Sequence, residues 1–149
     1  MRVTSRDLAQ ICPRNIRVRP DDFGTVWAAA ESFAADQANA GVTDWAAGGV
    51  AATCRWLVGA VTESRGQTRL PRSPITRRVA SAYEELIEAE YLAAVAMSAK
   101  ANAVLVRTRP GFVESVVATL GWAGRGNGVP PPIASDEGVD HERSNPSSA

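Results

Sequence analysis

Apolar residues recur along this chain at helical spacing, in four blocks set off by proline, glycine and charge. In the first block Phe23, Val26, Trp27, Ala30, Phe33 and Ala34 fall on one face, with Glu31, Asp36 and Asn39 elsewhere. This predicts an amphipathic helix from about Asp22 to Ala40, opened by Pro20 and an aspartate cap and stopped by Gly41. The second block, WAAGGVAATCRWLVGAV, is apolar nearly all round. Trp45, Gly48, Gly49, Ala52, Trp56, Gly59 and Ala60 form one stripe, and Val50, Cys54, Leu57 and Val61 lie opposite. That pattern predicts a central helix over Asp44 to Val61, packed antiparallel to the first across a short connection.

The third block spans Ile75 to Val106, with Tyr83, Leu86, Ile87, Ala94, Met97 and Ala101 as its inner stripe and Glu84, Glu85 and Glu88 outside it. Glu90 breaks the rule by landing within the inner stripe. A carboxylate facing a core needs a partner that also points inward, and Arg55 of the central helix is the candidate for a structural ion pair with Glu90. After the break at Arg107 to Pro110, Phe112, Val113, Val116, Val117 and Leu120 define a last helix over Pro110 to Trp122.

The remaining segments lack this periodicity. Thr4 to Ile11 reads as one or two helical turns ended by Pro13, and NIRVRP as an extended basic connector. TESRGQTRLPRSP, from Thr62 to Pro74, reads as a long basic loop broken by Gly66, Pro71 and Pro74. From residue 123 to 149 glycine, proline and serine dominate, and such a stretch cannot offset its ordering entropy. The expected organisation is a basic N-terminal segment over 1–20, a helical domain over 21–122 and a disordered tail over 123–149. The fold class is all-α: a small helical bundle of about four main helices.

Composition sharpens this picture. In 149 residues, 45% hydrophobic, alanine supplies much of the apolar content and little buried area, so the core must lean on a few large side chains. Formal net charge is zero, which leaves no global field for nucleic acid or membrane. The charge nevertheless comes in blocks: Arg65, Arg69, Arg72, Arg77 and Arg78 against Glu63, then Glu84, Glu85, Glu88 and Glu90. Such basic connectors are expected to lie against acidic helices of the same fold. A membrane span needs about 20 apolar residues. The central run is shorter and carries Arg55, so no membrane span is expected.

Candidate chemistry is sparse. Cys12 and Cys54 match no metal or redox spacing and read as reduced, which suits a cytoplasmic protein. The single histidine, His141, falls in the expected tail, outside any positioned catalytic constellation. No catalytic residue, metal or cofactor is therefore assigned. Glu84 and Glu88 share a helix face and supply the best carboxylate site for a metal-dependent enzyme, though a solvated acidic face explains them more simply. The stripe of Trp45, Gly48, Gly49, Ala52 and Trp56 either lets another helix of this chain approach closely or receives a partner's helix. The arginines from Arg65 to Arg78 suit phosphate, though the acidic helix that follows them would repel a duplex. By elimination the leading expectation is a non-enzymatic cytoplasmic helical module, regulatory or adaptor in character, that binds a protein partner or a second copy of itself. A nucleic-acid-associated regulator using Arg65, Arg69, Arg72, Arg77 and Arg78 is the alternative, and the metal-dependent enzyme comes third.

Overall fold

The computed structural model describes residues 1–133. The chain is mostly helical with one small two-stranded sheet, a correction to the all-α expectation. Helix α1 (Ser5–Ala9) is closed by a capping box in which Thr4 and Asp7 satisfy each other's backbone amides. Helix α2 (Pro20–Asn39) starts with Pro20 in its first turn. It ends where the sequence placed the stop: Gly41 has φ +78°, its N–H reaches the Ala38 carbonyl at 3.0 Å, and the Val42 N–H reaches the Gln37 carbonyl at 2.8 Å. These paired bonds satisfy carbonyls that the last turn would otherwise leave open.

Helix α3 (Trp45–Val58) is capped by the Asp44 carboxylate, which accepts from the Ala47 amide at 2.8 Å. It stops short of Val61 because Gly59 takes φ +71°, and the Ala60 N–H then turns back to the Arg55 carbonyl at 2.9 Å. Its contacts are densest with helix α6 (Phe112–Thr119) and then with α2. Phe23, Trp27, Cys54, Leu57, Val113, Val116 and Leu120 at this junction are wholly excluded from solvent.

Two stretches depart from the expected helices. Thr62–Ser64 (β1) and Gln67–Arg69 (β2) form an antiparallel hairpin in register Thr62↔Arg69, Glu63↔Thr68 and Ser64↔Gln67. Arg65 and Gly66 turn it with φ of +52° and +74°, the two positive angles a tight hairpin needs to match strand twist. The helix expected over Ile75 to Val106 is also broken up: it forms α4 (Glu84–Ser98) and α5 (Val104–Thr108), preceded by a turn and an extended stretch. For residues 75–83 the reason lies outside the segment. Trp56 Nε1 donates to the Ala80 carbonyl at 3.0 Å, and Asn15 Nδ2 donates to the Ala82 carbonyl at 2.9 Å and to Leu57 O at 3.0 Å. The Ala80 and Ala82 carbonyls are thereby held outside a helical ladder.

Past α6 the chain stays packed. Leu120–Gly124 widens into a π-helical turn, Trp122 is buried and stacks on Phe23 with centroids 6.4 Å apart, and the Arg17 amide donates to Ala123 O at 2.7 Å. Residues 123–133 thus hold contacts that the tail reading denied them, while 134–149, with His141, lie outside the described residues. Among the described residues no helix is long and apolar enough to cross a membrane.

Candidate interaction surface

The buried charges fix the scaffold first. Arg55 pairs with Glu31 through Nε and Nη2, and Trp27 Nε1 donates to the same carboxylate at 3.1 Å. This overturns the expected Arg55–Glu90 bridge. Glu31 had been placed on the polar side of α2, yet it stands one helical turn after Trp27 and so shares its inward face. That spacing was the available signal. Beside this pair the Cys54 thiol is fully buried and its pKa is pushed up, by desolvation first and by the Glu31 carboxylate second.

Glu90 is buried as well, but its partners are two backbone amides and a threonine hydroxyl. One carboxylate oxygen accepts from the amides of Ile75 and Thr76, and the other accepts from Thr76 Oγ1 at 2.6 Å. The same turn closes on itself: Ser73 Oγ accepts from the Arg78 amide at 2.8 Å, and the Arg77 amide donates to Ser73 O at 3.1 Å. Arg77 is held at φ +59° in this turn. Glu90 therefore latches the segment 73–78 to α4, and with it Arg77 and Arg78.

Arg65 and Arg69 sit on the hairpin, Arg72 on the link that follows it, and Arg77 and Arg78 on the latched turn, so the structure gathers all five on one continuous excursion between α3 and α4. All five are exposed. Among the described residues none of them lies in an ion pair. The acidic start of α4 is paired from elsewhere: Glu84 with Arg17 at 2.8 Å, and Glu88 with Arg125 at 3.3 Å, whose guanidinium also sits 4.4 Å over the Tyr91 ring. Glu84 and Glu88, offered above as metal ligands, are thus engaged with arginine. Among the described residues no group of three His, Cys, Asp or Glu side chains is placed to hold a metal ion.

An apolar cavity of about 170 Å³ opens beside these arginines, lined by Trp56, Gly59, Leu70, Pro71, Val79, Ala80 and Ser81. Leu70 lies between Arg69 and Arg72 in the chain, and Val79 follows Arg78. Each is 62% exposed. Neither belongs to a periodic stripe, so spacing along the chain does not single them out.

The tryptophan–glycine stripe is divided by the chain's own packing. A Cβ on Gly49 would stand 2.0 Å from Ser115 Oγ and 2.8 Å from the Phe112 carbonyl, so α6 occupies that position. Trp56 is buried, whereas Gly48 and Ala52 are half-buried. Trp45 is also half-buried, with the Arg109 guanidinium 5.0 Å over its ring. No family model matches the chain, and no curated protein or solved structure does either.

Proposed function

We propose that this chain is a non-enzymatic interaction module whose helical body presents the arginine-bearing segment 62–78 to an acidic polypeptide partner. The observation that carries this reading is the separation of charge within the fold. Arg17 and Arg125 pair with the acidic helix, while Arg65, Arg69, Arg72, Arg77 and Arg78 stand exposed and unpaired among the described residues. Uncompensated like charges on one excursion repel each other and raise the local potential, a cost that an anionic partner relieves on docking. Arginine forks also suit carboxylates, with two parallel donors for two oxygens.

Phosphate has the same attraction for these side chains, so nucleic acid is the competing partner. The polypeptide reading is favoured because α4 opens six residues after Arg78 with exposed Glu84 and Glu85, of which Glu85 has no ion-pair partner among the described residues. A duplex lying along the surface would meet that acidic face, while a short peptide confined to the hairpin and turn would not. The test is fluorescence anisotropy with a labelled oligoglutamate peptide and a single-stranded oligothymidylate of matched charge. Binding of the peptide that weakens with salt and is lost in an Arg69→Glu, Arg72→Glu, Arg78→Glu triple variant supports the reading. Binding of the oligothymidylate alone, or peptide binding indifferent to the triple substitution, overturns it.

A further inference from the structure

We infer that the cavity between Leu70 and Val79 is an anchor site for one apolar side chain of the partner, so that the segment recognised is acidic with a single aliphatic or aromatic residue at its centre. The inference rests on the proposed acidic-polypeptide reading and deepens it. Nearly all of Trp56 is enclosed, its Nε1 satisfied by Ala80 O, so it gives the site a fixed apolar floor. Leu70 and Val79 leave most of their surface in water. Gly59 adds no side chain, and nothing lies within 4 Å of where its Cβ would be. A volume of about 170 Å³ is on the scale of one large apolar side chain, and too small for a helix to lie in.

Charge complementarity identifies the occupant. Arg69 and Arg72 lie on either side of Leu70 in the chain, and Arg78 precedes Val79, so each of the two segments that wall the site also carries exposed arginine. Carboxylates on either side of the buried residue meet these donors, whereas a neutral hydrophobic segment would leave them unanswered. Glu90 keeps this geometry by holding the turn amides of Ile75 and Thr76. The Val79 wall is therefore tied to α4 through this turn and to α3 through the Trp56–Ala80 bond without help from the ligand, which lowers the ordering cost of binding.

The experiment compares two labelled peptides of glutamates and aspartates, identical except that one has a central leucine and the other a central serine, on the full chain by fluorescence anisotropy. The leucine peptide should bind roughly tenfold or more tightly, the scale of burying one aliphatic side chain. Val79→Ser and Leu70→Ser, both at exposed positions, should each erase most of that difference and leave the serine peptide unchanged, with circular dichroism melts confirming an intact fold. Equal binding of the two peptides to the parent, lost together in the arginine triple variant, overturns the anchor while leaving the acidic-polypeptide reading in place. A leucine preference that survives both serine substitutions also overturns it. Failure of both peptides to bind overturns the anchor and the reading together.

Discussion

Arg55 and Glu31 form the ion pair that joins α3 to α2, with the Glu31 side chain 3% exposed and that of Arg55 32%. The carboxylate carries the buried end, and Trp27 Nε1 supplies a further donor to it. Removing the arginine leaves a charge that has already given up its water with the Met1 ammonium, 3.4 Å away, as its remaining cation. Arg55→Ala should therefore cost about 3 kcal/mol, the lower end of the range for breaking a buried pair, because one partner is partly solvated. Glu31→Gln added to Arg55→Ala should recover part of that loss, since the neutral amide can still accept from Trp27. Urea unfolding of the two single variants and the double variant measures this, and purely additive losses would contradict it.

Glu90 holds a turn rather than a helix. Its carboxylate accepts the Ile75 and Thr76 amides, bonds of the charge-assisted kind worth roughly 1.5–3 kcal/mol each. Glu90→Ala removes the one oxygen that both amides share. Native-state hydrogen exchange at Ile75 and Thr76 should rise roughly 10- to 100-fold, the same free energy expressed as an opening constant. Amides in the middle of α3 should keep their protection. A general rise across α3 would show that Glu90 supports the whole fold, not the turn alone.

These two carboxylates mark what the sequence can and cannot convey. That Glu90 faces inward is legible from its place between Leu86 and Ala94, and so is its need for a partner. The partner's identity is not legible, because backbone amides leave no trace in residue type. Glu31 was readable through Trp27 one turn earlier, but its own polarity outweighed that spacing. Local signals served well where the structure is local: Asp44 caps α3, and Gly41 ends α2 with a positive φ. They failed over 75–83, where helix competes with donors that arrive from Asn15 and Trp56. They failed again at the hairpin, whose strands of three residues are too short to show alternation and whose turn uses Arg65, a residue that seldom takes positive φ. The five arginines were legible as a cluster, but their standing outside every ion pair among the described residues, and the cavity beside them, required the fold.

Neighbouring glycines in α3 should respond in opposite directions. At Gly48 an added Cβ meets nothing within 4 Å, while at Gly49 it would collide with Ser115 Oγ and the Phe112 carbonyl. Gly48→Ala should stabilise the protein by about 0.5–1 kcal/mol, since glycine within a helix carries an entropic penalty relative to alanine. Gly49→Ala should destabilise it by about 1–3 kcal/mol or more, because the backbone of α6 cannot step aside as the end of a long side chain can. Thermal melts of the two variants give the sign directly. A stabilising Gly49→Ala would mean that α6 does not sit against α3 as described.

The two thiols should differ in reactivity under native conditions. Cys12 is exposed and Cys54 buried. Burial, reinforced by the nearby Glu31 carboxylate, raises the Cys54 pKa far above the ordinary thiol value, with Arg55 opposing from the other side. Only the thiolate is a nucleophile, and for a raised pKa the thiolate fraction stays negligible through neutral and mildly alkaline pH. Raising the pH over that range therefore leaves native Cys54 unreactive, while alkylation at Cys12 proceeds. Modification of Cys54 should require the chain to open, so its rate follows the unfolding equilibrium and accelerates in Arg55→Ala by the same factor as the unfolding constant, about tenfold per 1.4 kcal/mol lost. Mass-spectrometric mapping of iodoacetamide adducts with time resolves the two sites. Comparable rates at Cys12 and Cys54 in the folded parent would show that water and reagent already reach the space between α2 and α3, and the enclosed Glu31–Arg55 pair would have to be abandoned with it.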